Sequence, residues 1–316
     1  MDKDFATSIG LNPKADGSSL RTIGVQIQFN NLTLQNVNTT TENLTEFAKS
    51  IGHTVPYILG DDLFNQLTVE IDFAHHRIAF HNPSAKIILA GAMEVPLIRN
   101  LDNRTVPVSV EGAPPAQFAF GLGNAAPLLV YQSYYQKYKL LLTRPTSLRQ
   151  GGGGAGPFPS EPVATLNHVL FAGVSFSKLP AAFIPDSLSG VNSELISGNI
   201  GIAILSRFHF IIDYANDRLY AVPYDKAENT LFIKDRLGMV LIKKDTGFNV
   251  KFISPGSPAQ AAGFKAGDTI MLIDQKSAQA WPDTAIANLR FLGIGTTLTF
   301  TMINGEVRRL SLADFF

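Results

Sequence analysis

Cysteine is missing from this 316-residue chain, which excludes disulfides, thiolate metal ligands and a cysteine nucleophile. The same absence leaves the redox compartment open. No apolar run approaches the length of a membrane-spanning helix, and Met1-Asp2-Lys3-Asp4 lacks the apolar core of a signal peptide. Such an opening fits a cytoplasmic protein, or the mature or trimmed form of an exported one. Neither sign of charge is in excess, with 26 Lys plus Arg against 26 Asp plus Glu, so the basic field that nucleic acid requires is lacking. The six histidines form no ligand set: His75 and His76 are neighbours in a predicted turn, and His53, His81, His168 and His209 show no metal spacing. No serine lies in a Gly-x-Ser-x-Gly elbow, and no Gly-Lys-Ser/Thr follows the segment Gly121 to Ala126. Neither a metal nor a cofactor is expected.

What the chain does have is apolar material, 45% of residues, enough for two or three cores at about 100 to 200 residues per domain. It also has an internal repeat. With a shift of 141 and no gaps, Gly60, Phe64, Leu67, Val69, Ile71, Asp72, Ala74, Arg77 and Ile78 fall on Gly201, Leu205, Phe208, Phe210, Ile212, Asp213, Ala215, Arg218 and Leu219. Each copy reads as an apolar-apolar-Gly step, a short helix, then two strands joined by a turn. Leu32 to Val37 is similar to Val169 to Val174, both read as short strands around a turn. Two related β-rich lobes are the expectation.

Between the copies, Phe118-Ala119-Phe120 climbs into the tight turn Gly121-Leu122-Gly123-Asn124. This run, the Ile58-Leu59-Gly60 and Asn199-Ile200-Gly201 steps and the repeat together resemble the retropepsin-like aspartic proteases, over roughly the first 225 residues. In that family the turn carries Asp-Thr-Gly, and two such acids share one proton, one activating water and the other protonating the substrate carbonyl. Gly121 and Leu122 stand here in place of Asp and Thr, and only Gly123 of the triplet is present. Glycine can do neither job. The repeat shift carries the first lobe's turn to a position before Met1, so the resemblance implies a chain that starts inside its first lobe. Gly151 to Gly156 and Ala15 to Ser19 fall where the family's two flap hairpins would be.

From about Leu231 the pattern changes. Asp235-Arg236-Leu237-Gly238-Met239-Val240-Leu241, then Ser257-Pro258-Ala259, Ala262-Gly263 and Gly267-Asp268, with a helix-like stretch from Asp283 to Phe291 and a strand from Thr297 to Ile303, resemble a bacterial-type PDZ domain. That resemblance implies capture of peptide or protein C-termini by strand addition, with the terminal carboxylate held by backbone amides. Leu237, Gly238 and Met239 match the carboxylate loop. Met239, Val240 and Leu241 begin the edge strand, and Ile286, Leu289 and Arg290 belong to the helix wall. For Met239 and Leu241 ordinary core packing is the competing role.

The remaining acids read as structural. Asp245-Thr246-Gly247 follows Lys243-Lys244 and precedes Phe248, which suits a hairpin turn. Asp72 and Asp213 each sit in Asp-x-x-x-x-Arg, where a carboxylate bonds turn amides or its arginine. Asp61-Asp62 is expected to cap the helix after Gly60. The expected organisation is therefore mainly β: a first retropepsin-like lobe over 1–84, a second over 85–224 and a PDZ domain over 225–316. The expected activity is that of a pseudoprotease, binding extended peptide between its lobes and chain ends in its PDZ groove. The alternative is an active endopeptidase whose Asp-Thr-Gly precedes Met1 and whose second acid comes from a homodimer. The bacterial PDZ type implies a periplasmic or secreted location.

Overall fold

The computed structural model describes all residues except 17–18, 30–31, 46, 49–52, 84, 86, 102 and 151–159. The expected second flap at Gly151 to Gly156 thus lies outside the described residues, as does the tip of the first. The chain is mainly β and forms two compact units, Met1–Leu97 with His209–Val222, and Ile98–Phe208 with Pro223–Phe316.

In the first unit, Lys14–Asp16 and Ser19–Phe29 form a hairpin that extends to Leu32–Thr41 in a three-stranded sheet. The expected break within 32–37 does not occur. Asn36 takes a positive φ of 56°, a conformation asparagine tolerates better than most residues, and the strand runs on while its register shifts on either side of the Val25–Val37 pair. The similar segment at 169–176 does break, into Val169–Phe171 and Val174–Phe176, with Ala172 and Gly173 both at positive φ.

The second sheet of this unit explains the repeat. Its order is Arg77–His81, Thr68–Asp72, Phe208–Asp213, Arg218–Pro223, Met93–Pro96. The two central strands are repeat counterparts paired antiparallel: Val69 lies opposite Ile212, the counterpart of Ile71, and Ile71 lies opposite Phe210, the counterpart of Val69. Glu70 faces Ile211, its own counterpart. A local two-fold therefore passes through this pair, and the sheet is built as two copies of one hairpin joined edge to edge.

All five residues of Thr68–Asp72 are buried, including two acids, and buried carboxylates require partners. Glu70 obtains them diagonally across both neighbouring strands. Arg77 Nη2 donates to its Oε1 at 2.7 Å, and His209 Nε2 and His81 Nε2 lie 2.9 and 3.0 Å from Oε1 and Oε2. Ala79 and Ile211 are the direct cross-strand partners of Glu70, so Arg77, His81 and His209 are each two residues along, within diagonal reach. Asp72 accepts the His75 amide at 3.3 Å and faces its Nδ1 at 2.7 Å, while Asp213 accepts the Asn216 amide at 3.2 Å. Both acids thus bond turn amides as expected, and Arg77 serves Glu70. Asp61 and Asp62 do not cap the helix Asp61–Gln66: Gly60 is the N-cap, and Asp62 instead accepts the Asn38 amide at 2.8 Å.

The second unit holds a ten-stranded sheet in the order Thr146–Arg149, Glu161–Leu166, Leu179–Ile184, Leu128–Tyr131, Gly198–Gly201, Ala116–Gly121, Asn103–Val110, Val169–Phe171, Val174–Phe176, with Ile98–Asn100 added to Asn103–Val110. The C-terminal domain follows with its own sheet and core. Arg207 fastens the connection between them. It is buried with its guanidinium 3.6 Å from the Phe232 ring centre, and it donates to the carbonyls of Ala203, Ala227 and Thr230. Burial lowers its pKa, and ring faces and carbonyls replace the water it has lost.

Burial alone would raise the Glu70 pKa, but hydrogen bonds from His81 and His209 and the charges of Arg77 and His209 outweigh it and hold the carboxyl below its ordinary value. A depressed carboxylate stabilises the fold above its ordinary pKa, and that contribution is lost as pH falls through the depressed one. Glu70→Gln is expected to cost about 2 kcal/mol at pH 7, the scale of hydrogen bonds to a charged group. The difference from wild type should shrink below pH 4.5, the ordinary value. Urea unfolding of both proteins from pH 7 to pH 3 measures this; a pH-independent difference would remove the ion-pair account.

Candidate functional site

The turn at Gly121 is shaped by an unusual strand arrangement. Gly198–Gly201 lies between Ala116–Gly121, to which it is parallel, and Leu128–Tyr131, to which it is antiparallel. The two outer strands are consecutive, so the loop joining them must pass over the end of the strand between. Backbone bonds fix that passage: Gly201 N donates to Pro127 O, Ile202 N to Asn124 O and Asn124 N to Gly121 O, at 2.8 to 3.0 Å.

The side-chain position of the turn is filled from the threaded strand. A Cβ on Gly121 would stand 2.0 Å from Asn199 Oδ1 and 2.8 Å from its Cγ. Asn124 Nδ2 holds that Oδ1 at 3.1 Å, and Asn124 Oδ1 accepts the Ala126 amide at 3.0 Å. Gly121 thus faces an amide pair, Asn199 and Asn124. Leu122 is half-buried, and Gly123 is exposed with nothing within 4 Å of a would-be Cβ. In the sequence Asn199 reads only as part of an apolar-apolar-Gly step, where its polarity is the one signal of its place at the turn.

The C-terminal domain has the sheet order Met239–Lys244, Gly247–Ile253, Thr269–Ile273, Thr297–Met302, Val307–Ser311. Asp245 and Thr246 form the tight turn of its first hairpin, as expected. Met239–Lys244 is an edge of this sheet, with a register shift between Val240 and Leu241, and the helix Asp283–Asn288 lies against it. Of the residues assigned to the groove, Leu237, Met239, Ile286 and Leu289 are buried in the domain's core, Leu241 packs partly against it, and Val240 is half-buried. Core packing accounts for Met239. Gly238 is required where it stands: its φ is 69°, and a Cβ there would meet Ser257 Cβ at 2.1 Å.

Two of the three loop amides are not open. Leu237 N and Gly238 N both donate to Asp235 Oδ1, at 3.0 and 2.8 Å. These two amides of the expected nest for a ligand carboxylate are thus occupied by a carboxylate of the chain itself. Burial pushes the Asp235 carboxyl up, against the lowering pull of the Gly238 amide, the Arg290 charge and the Leu237 amide. Arg290 Nε is buried and has no hydrogen-bond partner among the described residues, while its main-chain carbonyl accepts the Arg236 amide.

The final residues run past this loop. Ala313 N donates to Arg236 O, Arg236 Nε pairs with Asp314 Oδ1 at 2.9 Å, and Phe315 lies 3.2 Å from the Gly238 Cβ position. Phe316 continues onto the ten-stranded sheet, against the cluster of Ala119, Tyr131, Val163, Ala182, Ile184 and Ile196. Its carbonyl accepts from Lys234 Nζ at 2.6 Å and Thr165 Oγ1 at 2.9 Å. The segment lies on its own chain, beyond Val307–Ser311.

Residues 230–297 match the PDZ domain family, and the C-terminal domain is a PDZ domain. No curated protein matches the chain. Among solved structures it is similar to the HtrA-type protease AlgW with decapeptide, at 11% identity and TM-score 0.22, covering 75% of this chain and 83% of that one. A variant of that protease with tripeptide gives 12% identity and TM-score 0.24, covering 79% and 94%. TM-scores this low define no shared overall fold. Within the described residues no helix is long and apolar enough to cross a membrane, and no group of His, Asp or Glu could hold a metal ion.

An aspartate placed at the turn should clash with Asn199. Gly121→Asp is expected to destabilise the protein by roughly 1 to 3 kcal/mol, the usual cost of overpacking. Combining it with Asn199→Gly should cost less than the two changes summed. Urea unfolding of the four proteins gives the coupling, and strict additivity would mean that Asn199 does not fill the side-chain space at position 121.

Proposed function

We propose that this chain is a peptide-binding pseudoprotease, with two retropepsin-like lobes that have lost their acid chemistry and a PDZ domain that engages extended polypeptide. The observation that carries the reading is the turn itself. Where the family places an aspartate, Gly121 has no side chain, and the Asn199 amide fills the space a side chain would need. An amide neither takes a proton from water nor shares one with a second carboxyl, so proton transfer at this turn has no carrier. The lobe reading is further supported by the threaded strand and by the two-fold pairing of the repeat copies.

On this reading the working surface is the edge Met239–Lys244. An unpaired strand edge offers main-chain donors and acceptors to an extended chain, and the adjoining helix supplies apolar contact for alternate side chains. Binding of this kind reads extended conformation first and side-chain pattern second.

The purified chain is expected not to cleave unfolded casein between about pH 3 and pH 7, the range of a shared-proton aspartate pair. Release of acid-soluble peptide over a day of incubation is the measure. Cleavage with an acid optimum, blocked by an aspartic-protease inhibitor and retained in Asp245→Asn, would overturn the proposal.

A further inference from the structure

The PDZ loop and the segment after the last strand together close one end of the groove. Two loop amides are taken by Asp235 Oδ1, and Phe315 lies over Gly238, the residue between them and the edge strand. The Arg236–Asp314 pair and the Ala313 N to Arg236 O bond hold this segment to the loop. A ligand carboxylate entering here would meet a second carboxylate already bonded to the donors it needs, in a partly desolvated site where like charges repel strongly. Beyond the register shift at Val240/Leu241, by contrast, the edge is not paired with any described strand.

We propose that this groove takes an internal extended segment of a partner polypeptide, paired along Leu241 to Lys244, and does not select for a free C-terminal carboxylate. The inference rests on the peptide-binding reading above and sets its ligand class. Asp235 is the specificity-determining residue. Removing its carboxylate frees the Leu237 and Gly238 amides and leaves Arg290 without the acid its charge acts upon, which converts the loop into an anion site.

Two displayed libraries of random heptapeptides test this with the full chain, one ending in a free C-terminus and one continued by a fixed Gly-Ser segment. Wild type is expected to select from the continued library, and its selected peptides should bind equally as free acids and amides. Asp235→Ala should acquire about a tenfold preference for the free acid over the amide. Asp235→Asn keeps an oxygen for both amides but loses the charge, and its preference for the free acid should stay below that of Asp235→Ala. Wild type selecting only free C-termini, or losing tenfold in affinity on amidation, would overturn the inference while leaving peptide binding intact. Selection by none of the three proteins would remove the peptide-binding reading and this inference with it. If Asp235→Ala does not fold, the amide resonances of wild-type Leu237 and Gly238 decide. They are expected to follow the Asp235 titration and to remain unmoved by sodium acetate, and displacement by acetate would overturn the cap.

Discussion

The constraint on which the ten-stranded sheet depends is the threading of Gly198–Gly201 between two strands that are consecutive in the chain. It demands backbone approaches that no side chain permits. A Cβ on Gly198 would lie 2.2 Å from Leu129 O, and one on Gly201 would lie 1.8 Å from Ala126 O. Real contacts of that kind do not occur below about 3 Å, so these glycines are set by space and not by turn conformation. Once the strand is in place, the loop from Leu122 to Pro127 has nowhere to go but over its end. The Gly121 turn is then fixed by the strands beneath it and not by the side chain at its tip.

The same unit couples this sheet to the PDZ domain by buried polar contacts and by the packing of Phe316 and Phe232. Arg207 binds the connecting segment through the Phe232 ring and the carbonyls of Ala227 and Thr230, Ser147 Oγ donates to Pro255 O at 2.6 Å, and Lys234 and Thr165 share the main-chain oxygen of Phe316. Lys234 is mostly buried, and desolvation lowers its pKa against the raising effect of Asp314. Each of these groups would be costly to leave buried and unpaired, so the contacts are strongly coupled to the packing around Phe316.

Much of the PDZ domain was legible because its motif encodes backbone needs: a positive φ at Gly238, a capped turn at Ser257, a tight hairpin at Asp245. The repeat was legible for a related reason, since two copies of one hairpin must bury the same positions. What stayed hidden depended on register. Glu70 and His209 are 139 residues apart, and only the two-fold pairing of their strands sets them within 2.9 Å. Asn199 reads as one residue of an apolar step until the parallel register sets it opposite Ala119, two residues from Gly121, where its amide reaches the Gly121 side-chain position. Asp235 reads only as the start of a motif, because nothing in a sequence distinguishes a side chain that bonds its own loop from one that faces solvent. The 32–37 segment failed in the opposite direction: asparagine at a left-handed position can be absorbed in a continuing strand, whereas the Ala172-Gly173 pair ends one.

Two sites are therefore completed internally, in different ways. At the Gly121 turn, the space a side chain would need is filled by the Asn199 amide from the neighbouring strand. At the PDZ loop, the Leu237 and Gly238 amides are met by Asp235. Backbone donors are expensive to bury unmet, at about 1 to 3 kcal/mol for each group, so Asp235 is tied to the shape of its loop. Asn199 is tied to its turn by space instead, since its amide fits only because position 121 has no Cβ.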